Sequence, residues 1–133
     1  RRFAAPRERV FRAFTDVAEL QKWWGPEGFT CPVAELDARP GGKFRLEMHS
    51  PQGSIHVVFG EYREVTAPAK LVYTWAWEDS DGPETLVTLD FVDHGAETEL
   101  TLTHSLFADR ESRDNHGLGW SSSFNDLDTY LAG

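Results

Sequence analysis

The chain is poor in the residues that carry covalent and metal chemistry. Cys31 is the single cysteine in 133 residues, so no internal disulfide can form and a reducing compartment is the natural setting. Positive charge is scarce too: 13 Lys and Arg stand against 22 Asp and Glu, for a formal net charge of −9. Nucleic acid or an anionic bilayer would repel such a surface at long range, so neither is an expected partner. No apolar run approaches the ~20 residues that span a bilayer, and no signal-peptide pattern follows Arg1. The expectation is a soluble, cytoplasmic protein.

Other absences narrow the chemistry further. His49, His56, His94, His104 and His116 fall in no HxH or HExxH spacing, and one cysteine allows no CxxC, so no metal is expected. The acidic turn from Glu78 to Asp81 lacks the alternating ligands and closing Glu of a calcium loop, which leaves a solvated hairpin end. No GxSxG elbow surrounds Ser121, Ser122 and Ser123, and Cys31 has no basic neighbour in sequence to activate it. The glycines at 25, 28, 41 and 42 do not sit between a strand and a following helix, so they read as turns and not as phosphate cradles. No cofactor is expected and no residue is assigned a catalytic role.

What the chain has in abundance is aromatic surface: five Trp, nine Phe and three Tyr, within 40% hydrophobic residues. At this length the whole chain, residues 1–133, is expected to form one domain around a sizeable core. Pro6 stands where a helix often starts, and Val10 and Phe14 give a short helix one apolar face. Asp16 ends that helix or caps a second, running from Val17 to Trp24. From Phe29 onward the period changes to two. Strands are predicted over Phe29–Asp37, around Phe44, Leu46 and Met48, over Ile55–Val65, around Leu71, Tyr73, Trp75 and Trp77, around Val87, Leu89 and Phe91, and around Leu100, Leu102 and His104. A further strand could precede Pro6. Short turns with no intervening helix require antiparallel pairing.

The segment from Asp109 to Gly133 closes the pattern. Trp120, Phe124, Leu127 and Leu131 recur at i, i+4, i+7 and i+11, one stripe on a long helix that Asp109 can cap and Glu111 can favour through the helix dipole. An antiparallel sheet of this length curls, and its concave face needs a cover that only this helix is long enough to supply. The fold class is therefore α+β. Gly117 and Gly119 cost helix stability, on the order of 1 kcal/mol each, and close approach of the helix to the sheet is the expected reason. One of the three serines beside Trp120 should face the sheet for the same reason.

Two readings of His104 stay open. Its alternation with Leu100 and Leu102 turns it toward the helix, either as a hydrogen-bonded core histidine or as a polar anchor at one end of an apolar cavity. Tyr62, Tyr73 and Glu61 are its candidate companions. The inward face of Ile55–Val65 is ambiguous, because Ile55, Val57 and Phe59 compete with Val58 and Tyr62.

The run Ala5-Pro6-Arg7-Glu8-Arg9-Val10-Phe11, then Trp23-Trp24-Gly25-Pro26 and Gly28-Phe29, resembles the heat-shock-protein-90 ATPase activator homologue-like family of the START-like (SRPBCC, Bet v-type) superfamily. Arg39-Pro40-Gly41-Gly42, Gly60-Glu61-Tyr62, Leu71-Val72-Tyr73-Thr74-Trp75, Leu102-Thr103-His104 and Gly119-Trp120 continue the likeness in order along the chain. The resemblance implies a helix-grip fold, a curved antiparallel sheet of six to seven strands wrapped round the C-terminal helix, with two short helices near the N-terminus. It also implies a cavity that in the superfamily often takes hydrophobic small molecules. The leading expectation is a non-enzymatic domain binding a small hydrophobic or aromatic ligand through Trp24, Met48, Tyr73, Trp75, His104, Trp120 and Phe124. Two alternatives stand beside it: a cyclase- or hydrolase-like enzyme with His104 as acid/base, and a co-chaperone-like interaction module or homodimer. The resemblance does not reach the separate N-terminal domain through which the eukaryotic co-chaperone engages its partner, which weighs against a chaperone-activating role.

Overall fold

The computed structural model describes residues 1–25, 28–78, 84–105 and 110–132, with side chains from residue 119 onward in the last segment. The chain runs β1 (Arg2–Phe3), α1 (Arg7–Thr15), α2 (Val17–Leu20), β2 (Thr30–Leu36), β3 (Lys43–His49), β4 (Ile55–Thr66), β5 (Lys70–Trp77), β6 (Thr85–His94), β7 (Glu97–Ser105) and α3 (Arg110–Ala132). The seven strands form one antiparallel sheet in the order β1-β7-β6-β5-β4-β3-β2, with the two-residue β1 completing an edge. Register shifts between Thr30 and Val33 in β2 and between Tyr62 and Glu64 in β4 break the ladder locally, and such irregularities sharpen the twist of a sheet. The sheet is curved and α3 lies across it, the helix-grip arrangement.

The ambiguity of β4 is resolved by its pairing. Phe44, Leu46 and Met48 point inward from β3 and lie opposite Gly60, Val58 and His56. Directly opposed residues share a face, so His56, Val58, Gly60 and Tyr62 point inward. Ile55 and Phe59 stay 54% and 42% exposed on the outer face. Glu61 faces outward with them, 3.9 Å from Arg63, and so is no companion of His104. Gly60 answers to close packing: a Cβ there would stand 2.0 Å from the Thr74 carbonyl oxygen and 2.7 Å from the Phe44 ring.

The first two helices close one end. Val10, Phe11, Ala13 and Phe14 of α1 are buried, and the Phe11 and Phe14 rings meet Phe91 of β6 at centroid distances of 5.3 and 5.7 Å. The Asp16 carboxylate accepts from the Glu19 backbone N–H at 3.1 Å and caps α2. That helix stops at Leu20, short of the expected Trp24. The backbone tightens into i+3 bonds from Lys22 to Glu19 and from Trp23 to Leu20, and Gly25 then turns away at φ 103°. Trp23 is held by its indole N–H donating to the Ala13 carbonyl at 2.9 Å.

On α3 the stripe is present: Trp120, Phe124 and Leu127 are buried and Leu131 is half-buried. Each buried side chain of this size contributes about 1.5–3 kcal/mol. Glu19 fastens the far end of α3 to α1 and α2. Its carboxylate accepts from Arg9, from Arg12 at 2.9 Å and from the Tyr130 hydroxyl at 3.0 Å, while the Arg9 guanidinium stacks 4.9 Å from the Tyr130 ring centre. The expected cap Asp109, the side chains of Glu111 and His116, Pro26 and Glu27, and residues 79–83 of the acidic turn lie outside the described residues. No helix among the described residues is long and apolar enough to cross a membrane.

Candidate functional site

A curled sheet gripping one helix leaves space where the two diverge. Here it is a cavity of about 640 Å³. From β5 come Trp75 and Trp77, which alternation puts on the concave face; from β3 and β4 come the opposed pair Met48 and His56. The turn after α2 adds Trp24, Gly25 and Phe29, and α3 adds Gly119, Trp120 and Ser123 from one face. Three tryptophans form a continuous wall, with ring centroids 5.9 Å apart for Trp24–Trp75, 5.6 Å for Trp24–Trp120 and 5.1 Å for Trp75–Trp120. Trp77 extends the wall, its ring at 88° to that of Trp75.

Of the seven side chains expected to bind a ligand, four line this cavity: Trp24, Met48, Trp75 and Trp120. The other three lie elsewhere. Tyr73 borders a separate small void of about 10 Å³, on the scale of one water and too small for a ligand. Phe124, one helical turn past Trp120, turns away to pack edge-on against Phe3 at 5.8 Å and Phe14 at 6.4 Å. His104 stands behind the wall instead of on it.

The bonding of His104 defines its state. The Trp120 indole nitrogen, which can only donate, donates to Nδ1 at 3.0 Å. Nδ1 is therefore unprotonated, Nε2 carries the hydrogen, and it donates to the Thr85 hydroxyl oxygen at 2.7 Å. That hydroxyl donates onward to the Trp75 carbonyl at 3.1 Å. The neutral imidazole thus sets the orientation of the Trp120 ring, and both its nitrogens are engaged in doing so. Its hydrogen bonds to Thr85 and Trp120 take the place of the expected tyrosine partners. Tyr62 and Tyr73 are buried against each other at 5.8 Å, and burial pushes both phenols well above their ordinary range, so they stay neutral. Burial likewise pushes the Cys31 thiol up to about 11, which leaves it inert at neutral pH.

Two polar side chains do line the cavity: Ser123, the one of the three serines expected to face the sheet beside Trp120, and His56, which carried no such expectation. His56 contacts the Phe29 and Trp77 rings, at 6.1 and 6.5 Å, and Ser123 is 6% exposed. Neither has a hydrogen-bond partner among the described residues. No local signal separated the two faces of β4, which both carry apolar residues, so His56 is placed by the pairing of β4 with β3. Gly119 also departs from expectation. A Cβ there would meet nothing among the described residues within 4 Å, so the glycine borders open cavity and is not a point of close approach to the sheet. The Trp24 indole N–H is buried without an acceptor, a desolvation cost carried at the cavity wall. Among the described lining residues there is no Asp, Glu, Lys or Arg.

Residues 4–132 match the family model described as activator of Hsp90 ATPase homolog 1-like protein. The chain belongs to this family. The activator-homologue family lies within the START-like (SRPBCC) superfamily. Among solved relatives, a protein from Chromobacterium violaceum is 32% identical, with a TM-score of 0.91 over 100% of this chain and 94% of the other. The AHSA1 protein of Silicibacter pomeroyi is 35% identical, with a TM-score of 0.89 over 99% and 94%. A human protein, activator of 90 kDa heat shock protein ATPase homolog 1, is 29% identical over 117 residues, which is 86% of this chain and 31% of that protein. The chain thus spans under a third of this longer relative. Membership in the activator-homologue family supports a ligand-binding or co-chaperone-like domain.

Proposed function

We propose that this domain binds a small, largely aromatic molecule between the sheet and α3, and that it does so without catalysing a reaction. The carrying observation is the cavity itself. Its volume of about 640 Å³ falls inside the ~300–1,000 Å³ of ligand sites. Its walls are tryptophan, phenylalanine and methionine with a few polar groups, the composition such sites have. The alternative of an enzyme acting through His104 draws no support from the geometry. A general acid/base must reach the proton it moves, and both nitrogens of His104 are committed to Trp120 and Thr85. The co-chaperone alternative draws on the family and on a human relative of which this chain covers 31%, and no feature of the cavity bears on it.

Thermal shift and tryptophan fluorescence against a panel of one- to three-ring aromatic compounds test the proposal. A binder at 100 times its Kd adds about 2.7 kcal/mol, a rise in Tm on the order of 10 °C for a chain of this size. It should also quench emission, because Trp24, Trp75, Trp77 and Trp120 all line the site. A panel that leaves both Tm and emission unmoved would count against the proposal, and a crystal structure with the cavity closed by side chains would end it.

A further inference from the structure

We infer that the ligand is uncharged and carries a hydroxyl or carbonyl oxygen, anchored by His56 from the sheet and Ser123 from the helix. This rests on the proposed binding role and specifies the chemistry of the same site. Inside a wall of aromatic rings these two side chains bring hydrogen-bonding capacity that the protein leaves unused among the described residues. A neutral imidazole offers one donor and one acceptor, and a hydroxyl offers both. Ser123 is 6% exposed, so bulk water reaches it poorly. An oxygen on the ligand would complete Ser123, which folding has already buried, and would meet His56, half-buried on the sheet side.

The same wall disfavours charge of either sign. A carboxylate or phosphate would find no Lys or Arg among the described lining residues, within a chain of net charge −9. An ammonium would find no carboxylate. It could use a ring face, yet the Trp24, Trp75 and Trp120 faces are partly covered by one another at 5.1–5.9 Å. Burying an unpaired charge in such a site costs far more than a neutral hydrogen bond returns.

Equilibrium dialysis of the whole chain at pH 7.5 with four matched probes separates the outcomes: naphthalene, 2-naphthol, 2-naphthoate and 1-naphthylmethylammonium. A single well-made hydrogen bond corresponds to about two- to tenfold in affinity, so 2-naphthol should bind more tightly than naphthalene by that factor, and both charged probes more weakly than 2-naphthol. In His56→Phe the ratio of naphthol to naphthalene affinity should fall toward one. In His56→Gln, which keeps a donor and an acceptor, it should recover, and Ser123→Ala should lower it in part. Circular dichroism establishes that each variant is folded. Failure of naphthalene and naphthol alike to bind would remove the binding role itself. Binding of both with equal affinity, or tightest binding of a charged probe, would overturn the assignment of His56 and Ser123 while leaving the cavity its role.

Discussion

Gly119 offers the sharpest test of whether the space beside α3 is open. A glycine well inside a helix costs about 0.8–1.0 kcal/mol relative to alanine, because the unfolded chain loses more freedom there. If the helix backbone pressed on the sheet at this point, a methyl group would clash and the cost would be hidden by packing. Instead an added Cβ meets no atom of the described residues within 4 Å. Gly119→Ala should therefore stabilise the protein by about 1 kcal/mol. With an unfolding entropy of roughly 2.1 cal/mol/K per residue, 133 residues give a rise in Tm of about 3–4 °C. Gly119→Leu should send its side chain into the cavity and weaken naphthalene binding by at least about tenfold, equivalent to about 1.4 kcal/mol. Differential scanning calorimetry and equilibrium dialysis measure the two effects. A fall in Tm for Gly119→Ala would refute the reasoning, since it would place atoms where the structure has space. Unchanged binding in Gly119→Leu would move the ligand elsewhere.

The other expectations concern the wall and the core behind it. Thr85→Val removes the acceptor of the His104 Nε2 hydrogen while keeping the side chain's shape, so it should cost about 1–3 kcal/mol. Combining it with His104→Phe should cost less than the sum of the two single changes, and denaturation midpoints across this double-mutant cycle would show no coupling if the hydrogen bond were absent. A two-dimensional nitrogen–proton NMR spectrum should find the imidazole as the Nε2–H tautomer. Alkali should destabilise the fold. The Cys31 thiol is raised from 9.0 to about 11, so between those values the unfolded chain binds fewer protons than the native one and stability falls as pH rises. The loss from this group is roughly 2–3 kcal/mol across that window, and above pH 10 Tyr62 and Tyr73, raised in the same direction, steepen it. Urea midpoints from pH 7 to 11 measure the slope, and Cys31→Ala should flatten its first part; a flat profile to pH 11 would show that these groups ionise freely in the folded state.

Local order in the chain determined much of this protein. Periods of two and of 3.6, with turn residues between them, located the strands and the long helix and forced antiparallel pairing. Helical spacing turned Trp120, and strand alternation turned Trp75, toward the helix–sheet interface. Family motifs spread along the chain indicated the grip. What local pattern could not decide was phase and divergence. β4 carries apolar residues on both faces, so only its pairing with β3 turned His56 inward and left Ile55 and Phe59 outside. Tyr73, Trp75 and Trp77 share one strand face, yet Tyr73 packs against a void of about 10 Å³ and the tryptophans border the cavity. A stripe on α3 likewise splits, with Trp120 on the open side and Phe124 packed on Phe3 and Phe14. The physical reason is that alternation and helical periodicity say which way a side chain points. How far the opposing surface stands from it depends on curvature and bulges, and these arise only when the strands twist together around the helix.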